Sequence, residues 1–300
     1  MDNYLQINDL YKKYNTQVVL NKVNINIPQN KIFGLLGPNG AGKTSLIRTI
    51  TQIIAPDSGT IHIKGALLSE KHNRLIGYLP EERGLYKKMK VGEQLLYLAQ
   101  LKGLSKRDAR VNIDNWSGRL GIDTWYEKRI EELSKGMQQK VQFIASVVHN
   151  PELLILDEPF SGFDPINTLQ LKEEILKLKS NGTTIIFSTH RMDTVEELCD
   201  NIALINKGNI LLEGNQYEIK SRYKSLTYKA VLSSKLQKPN YDFEIVSEIV
   251  NPQNMYEYEI KLKQGNSNDI IAYLISQSEL ISFNEKIPSM DEIFVQTVNN

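Results

Sequence analysis

Gly37-Pro-Asn-Gly-Ala-Gly-Lys-Thr44 places three glycines, a lysine and a hydroxyl residue in one short stretch. That composition suits the binding of a chain of phosphates. Glycines let backbone N–H groups turn inward into an anion nest, and a helix opening at Thr44 would add the partial positive charge of its N-terminus. The spacing is G-x-x-x-x-G-K-[ST]. In that pattern the lysine, Lys43, reaches the β- and γ-phosphates and the hydroxyl, Thr44, binds Mg²⁺. Gly37, Pro38, Asn39, Gly40, Ala41, Gly42, Lys43, Thr44 and Ser45 are therefore the candidate cradle. About 110 residues further on, Leu153-Leu-Ile-Leu-Asp-Glu-Pro159 ends an apolar run in two acids. Asp157 is placed to hold Mg²⁺ and Glu158 to polarise an attacking water. Phosphoryl transfer depends chiefly on such positioning and charge stabilisation. His190, in Ser188-Thr-His190, follows another apolar run and could hydrogen-bond a γ-phosphate or the water.

These residues need a scaffold that brings them to one edge. Lys31–Leu36, Leu153–Leu156 and Thr184–Phe187 are apolar runs that read as strands, the last two buried on both faces. Gly59–Lys64 alternates apolar and polar residues as a half-buried strand does. A helix is expected from Thr44 to about Ile54. Thr168–Ser180 carries Leu169, Ile175, Leu176 and Leu178 among charges, which suits an amphipathic helix. Strand, helix, strand at this spacing implies an α/β fold, a parallel sheet covered by helices, with ligands bound beyond the carboxyl ends of its strands. Residues from about 85 to 150 are mostly helical in pattern and are read as an insertion into that core. A boundary is expected near Gly214-Asn215. Beyond it, Met255–Lys263 puts Tyr256, Tyr258, Ile260 and Leu262 on one face of a strand, after a turn at Asn251–Asn254. Asp269–Ser276 and Ser289–Val298 read as helices. The expected domains are 1–214, with the helical part at about 85–150, and a small α/β appendix at 215–300.

Composition narrows the function classes. The 300 residues are 41% hydrophobic and 24% charged with a net charge of +1. This balance gives no sign of a nucleic-acid surface, and no nucleic-acid partner is expected. The lone Cys199 cannot form an internal disulfide, which suits a reducing compartment and a small buried side chain. There is no apolar run of about 18 residues, and Met1–Leu10, with Asp2 and Asp9, does not read as a signal peptide. The chain is thus expected to be soluble, and any membrane location to come through a partner.

Leu133-Ser-Lys-Gly-Met-Gln-Gln-Lys140, just before the Asp157 run, separates this chain from other phosphate-loop proteins. It resembles the signature of the ABC ATP-binding cassettes, usually Leu-Ser-Gly-Gly-Gln, with Lys135 for the first glycine and Met137 for the glutamine. The other marks of that family follow in order over residues 4–214. The resemblance implies that Tyr14 stacks on adenine, that Ser161-Gly-Phe-Asp-Pro165 is the D-loop with Asp164 as its acid, and that His190 is the switch histidine. It implies a RecA-like parallel core, an antiparallel β subdomain and an inserted helical subdomain. It also implies ATP and Mg²⁺ as cofactors, and a head-to-tail pair of cassettes in which Ser134 and Gly136 of one contact the nucleotide of the other. Ser134 also suits the N-cap of a helix. One departure stands out. Glu81 occupies the place of the family's Q-loop glutamine. A carboxylate can supply an oxygen to the metal but cannot donate a hydrogen bond.

Gly77-Tyr-Leu-Pro-Glu-Glu-Arg-Gly-Leu-Tyr86 and Pro288-Ser-Met-Asp-Glu-Ile-Phe294 are similar to bacterial exporter cassettes of the sodium-extrusion and multidrug-export branch, which carry a C-terminal extension. The resemblance implies an ATPase on the cytoplasmic face of the membrane. It would be held there by a membrane-spanning permease subunit in another polypeptide, which docks on the helical subdomain and the Glu81 loop. Two alternatives stand beside this reading. One is a regulatory cassette that binds ATP as a switch with little turnover. The other is a soluble ABC ATPase acting on ribosomes or DNA, although the chain has one cassette and no heptad run.

Overall fold

The computed structural model describes residues 2–82, 84–237, 243–262 and 267–299. Arg83 and Lys263, from two of the segments read above, lie outside these residues. The chain divides into two compact units. Residues through Gln216, with those from Thr297 on, form one, and Tyr217–Gln296 form the other.

In the first unit the strands are β1 (Asn3–Tyr14), β2 (Gln17–Pro28), β3 (Ile32–Leu36), β4 (Ser58–Ile63), β5 (Ala66–Leu67), β6 (Ile76–Leu79), β7 (Leu153–Asp157), β8 (Thr184–Thr189), β9 (Asn201–Asn206) and β10 (Asn209–Asn215). Its helices are α1 (Lys43–Ile50), α2 (Val91–Leu101), α3 (Lys106–Leu120), α4 (Lys135–Val147), α5 (Pro165–Ser180) and α6 (Met192–Leu198), and α7 (Gln216–Arg222) follows. Strands β3, β6, β7, β8 and β9 run parallel, in the order β10-β9-β3-β8-β7-β6, with β10 antiparallel at one edge. Every residue of β3, β7 and β8 is buried. That is why these strands read as unbroken apolar runs. Each fully buried Leu or Ile contributes roughly 1.5–3 kcal/mol, so this sheet is a stiff base for the loops at its edge. A second sheet, β2-β1-β4-β5, is antiparallel. Helices α2, α3 and α4 fall between β6 and β7.

Two expectations need correction. The helix after the glycine-rich loop stops at Ile50 rather than near Ile54. Thr51 turns its hydroxyl onto the Ile47 carbonyl at 2.9 Å and Gln52 adopts φ +59°, so the last turn closes early. On α5 the buried stripe is Leu171, Ile175 and Leu178, whereas Leu169 and Leu176 are exposed. Positions 171, 175 and 178 share a helical face at i, i+4, i+7, and 169 and 176 lie off it.

The second unit is a four-stranded antiparallel sheet, β11 (Thr227–Leu232), β12 (Phe243–Val250), β13 (Tyr256–Leu262) and β14 (Leu280–Glu285), in the order β12-β13-β11-β14. It is accompanied by α8 (Ser267–Gln277) and α9 (Met290–Asn299). Tyr258, Ile260 and Leu262 of β13 are buried with Ile270 and Leu274 of α8, so alternation had picked the inward face.

His149, just past α4, is buried beside Lys102, and its Nε2 lies 3.2 Å from the Ile76 carbonyl, which also accepts from Lys102 at 2.8 Å. Burial, with the Lys102 charge, pulls its pKa down to about 4. The unfolded chain takes up this proton near pH 6.5, so stability is full above that value and declines as pH falls towards 4. At pH 5 the loss from this group is about 2 kcal/mol. Urea unfolding at pH 7 and pH 5 checks it. His149→Gln should remove that share of the pH dependence, and an unaltered slope would show that His149 does not carry it.

Candidate functional site

Strand register builds the site. Leu36 of β3 pairs with Thr189 of β8, and Asp157 of β7 pairs with Ser188. The residues that come next, Gly37, His190 and Glu158, therefore leave the sheet along the same edge. Beyond β6, next to β7, comes Glu81. These segments surround a cleft of about 460 Å³ lined by Gln17, Val19, Asn39–Ser45, Glu81, Asp157, Glu158 and His190.

Gly37 and Gly42 have φ of +153° and +115°, and a Cβ would fall 2.2 Å from the Ile205 carbonyl oxygen and 2.6 Å from that of Val19. Only glycine permits that turn and that approach. The loop delivers α1 with Gly42 as its N-cap, no side-chain cap and no acidic residue in its first turn. The first N–H groups of α1 thus have no built-in anion and are suited to receive one. Lys43 is buried, and its ammonium donates to the carbonyls of Gly37 at 2.7 Å and Pro38 at 3.1 Å. Burial pulls its pKa down, against the opposing pull of Glu158, Asp157 and Glu81.

Glu158 is held on three sides. Its Oε1 accepts the His190 backbone N–H at 2.9 Å and sits 2.7 Å from His190 Nδ1, and its Oε2 accepts the Thr189 hydroxyl at 3.2 Å. Its own backbone, at φ +48°, is fixed by an N–H bond to the Ser188 carbonyl. A left-handed glutamate costs about 1 kcal/mol or more and persists only where its surroundings enforce it. Asp157 is 3% exposed, and its Oδ2 has no hydrogen-bond partner among the described residues. Burial raises its pKa, and the charges of Glu81 and Glu158 add to the rise.

Among the described residues, the cleft lining thus carries three carboxylates against one ammonium. A polyphosphate would enter such a cleft only with a cation. Among the described residues no three His, Cys, Asp or Glu side chains are grouped to hold a metal by themselves. Mg²⁺ commonly binds through one or two carboxylates plus substrate phosphates. The unpartnered Asp157 oxygen, in a cleft that Thr44 and Glu81 also line, fits that mode.

Other expected site residues lie elsewhere in this chain. Tyr14 is 44% exposed and does not line the cleft, although it pairs with Gln17, which does. Ser134 is exposed and caps α4 through the Met137 N–H at 3.3 Å. Gly136 is half-buried in the first turn of α4. Asp164 is exposed and caps α5 through the Asn167 N–H at 2.9 Å, with Pro165 at the first helical position. Gln17 and Val19, at the start of β2, line the cleft unforeseen. Their types are unremarkable, and only the return of the hairpin puts them there.

Residues 20–161 match the family described as ABC transporter. The uncharacterized ABC transporter ATP-binding protein YhaQ of Bacillus subtilis is 40% identical over 98% of this chain and 98% of its own length. The chain belongs to the ABC transporter ATP-binding proteins. Residues 214–298 of this cassette protein match the C-terminal domain described as that of ATP-binding protein DrrA1-3-like. The lantibiotic transport ATP-binding protein SrtF of Streptococcus pyogenes is 34% identical over 77% of this chain and 99% of its own length. A solved structure, titled as an ATP binding subunit of an ABC transporter, superposes with a TM-score of 0.69 at 30% identity, covering 73% of this chain and 93% of the other. The ATP-binding cassette accounts for the parallel core and its glycine-rich loop. Among the described residues no helix is long and apolar enough to cross a membrane.

Proposed function

We propose that this cassette hydrolyses ATP in the cleft and thereby energises export through a separate membrane-spanning permease. The observation that carries the reading is the shared edge of β3, β8 and β7, where the phosphate cradle, Asp157, Glu158 and His190 converge. Backbone N–H groups of the Asn39–Ser45 stretch and the Lys43 ammonium hold the phosphates. Thr44, Asp157 and Glu81 hold Mg²⁺, which neutralises phosphate charge when it is bound. Glu158, oriented by Thr189 and His190, draws a proton from the attacking water, and the His190 ring faces the same reacting oxygens.

The working unit is a pair of cassettes, identical or different, each lending Ser134, Gly136 and Asp164 to the other's nucleotide. Tyr14 stacks on the adenine. The exposed N-terminus of α4, with no acidic residue in its first turn, supports a role towards an anion from outside the chain. We take residues 1–214 as the ATPase domain, with its helical part at about 85–150, and 215–300 as an accessory domain. The permease would hold the pair on the cytoplasmic face of the membrane. Export as the direction is supported by the Gly77–Tyr86 and Pro288–Phe294 segments, and transport by the role named for SrtF.

Purification from membranes with identification of any polytopic protein that co-isolates, followed by single-turnover hydrolysis of labelled ATP, tests this. Co-isolation with a permease and release of phosphate are expected. ATP that stays intact through the turnover would point to a regulatory switch, and a cassette that never accompanies a membrane protein would point away from transport.

A further inference from the structure

Glu81 is exposed and lies past the end of β6, in a stretch from Pro80 to Met89 whose described residues belong to no helix or strand. A carboxylate that is to meet a cation must be held to within about half an ångström, and its own segment supplies no such hold. The hold comes from α4. Gln142 on that helix is 6% exposed, and its Nε2 lies 3.2 Å from the Pro80 carbonyl and 3.3 Å from the Glu82 carbonyl. A side-chain amide has two N–H groups. One buried nitrogen can therefore donate to the peptide carbonyls on both sides of Glu81 at once.

One turn earlier, Gln139 is 8% exposed and donates to the Pro159 carbonyl at 3.1 Å, next to Glu158. The two glutamines, three residues apart, tie one helix to both acid-bearing loops. The N-terminus of the same helix is capped by Ser134.

We propose that Gln142 is a positioning residue for Glu81, fixing the carboxylate through the carbonyls that flank it so that the placement of α4 sets the cation site. This rests on the reading of Glu81 and Asp157 as the carboxylates that meet Mg²⁺. A shift of α4 along its axis would carry the Glu81 loop with it through Gln142. The end of α4 that would face a second cassette is thus joined by one rigid element to the metal side of this chain's own cleft.

Gln142→Met keeps the length of the side chain and removes both donors. The Mg²⁺ concentration for half-maximal ATP hydrolysis should rise about tenfold, the scale for losing a group that orients a metal ligand. Affinity for ATP measured in excess EDTA should stay within about twofold, because the cradle does not touch Gln142. A merely structural glutamine would lower the melting temperature without moving the metal midpoint. Hydrogen exchange without nucleotide gives a second reading. Backbone amides of Glu81, Glu82, Gly84 and Leu85 should exchange faster in the variant while those of β7 do not. Asp157→Asn serves as the control. If it raises the Mg²⁺ midpoint and Gln142→Met does not, the positioning role is overturned and the metal reading stands. If neither variant moves the midpoint, the metal reading fails and the positioning role falls with it. Should Gln142→Met not fold, Gln142→Asn, one methylene too short to span both carbonyls, is measured in the same way.

Discussion

Glu158→Gln is expected to lower steady-state ATP hydrolysis by about 10²–10³-fold, the scale for losing one well-placed stabilising group, while leaving ATP binding intact. The geometry explains why the two effects separate. The amide keeps the shape of the side chain and one carbonyl oxygen, which can still accept the His190 backbone N–H now 2.9 Å from Oε1. The new NH₂ would stand where Oε2 meets the Thr189 hydroxyl at 3.2 Å, and that hydroxyl can rotate to accept from it. The left-handed backbone at residue 158 need not change. What is lost is the negative charge that draws a proton from water, and one of three carboxylates crowding the phosphates. Binding of Mg²⁺ and ATP should therefore be unchanged or tighter. Because the nucleotide is held without being cleaved, a pair of cassettes joined by ATP should accumulate. Light scattering would detect it as a doubled mass that persists with ATP and disappears with ADP. Near-normal turnover in this variant would remove Glu158 from the chemistry and move attention to His190.

The parts of this machine differ in how far they can be read from residue types. Strands β3, β7 and β8 are buried on both faces, so they stand out as apolar runs, and the cradle follows β3 without interruption. The antiparallel sheet is less visible. In β1 both Tyr4 and Leu5 are buried, and the register with β2 slips between Ile7 and Leu10, near Asp9 at φ +46°. Each slip resets the alternation by which a half-buried strand is recognised. Of its strands, β4 is the one with a clean alternation, at Gly59–Lys64, and the subdomain as a whole is implied by the family resemblance.

Gln139 and Gln142 are hidden for another reason. In sequence they are polar positions on an amphipathic helix, and nothing local distinguishes an amide facing solvent from one buried against a neighbouring loop. Their partners, Pro159 and the carbonyls beside Glu81, are backbone atoms that no side-chain pattern announces. Tyr14 is a different case: the resemblance gives it a ligand contact, and in this chain it pairs across the hairpin with Gln17, which lines the cleft.

Lys43→Ala should act on binding rather than on the chemical step alone. Lys43 is the one ammonium among the described residues lining the cleft, where it faces Glu158, Asp157 and Glu81. Burial already lowers its pKa, so the fold bears a desolvation cost to keep a charged group there. A hydrogen bond to a charged group contributes roughly 1.5–3 kcal/mol. Losing one to the β- or γ-phosphate therefore predicts ATP affinity about 10- to 100-fold weaker by calorimetry. ADP should lose less, since it has no γ-phosphate for the ammonium to reach. The ligand-free protein should be less affected, because the hydrogen bonds given up are those to the carbonyls of Gly37 and Pro38, and the attraction to the three carboxylates is offset by the desolvation of the buried ammonium. The melting temperature without nucleotide should stay near that of the parent, and the rise that ATP produces in the parent should shrink. Unchanged ATP affinity in Lys43→Ala would mean that the glycine-rich loop is not where the phosphates lie. The convergence of β3, β7 and β8 would then need another ligand to explain it.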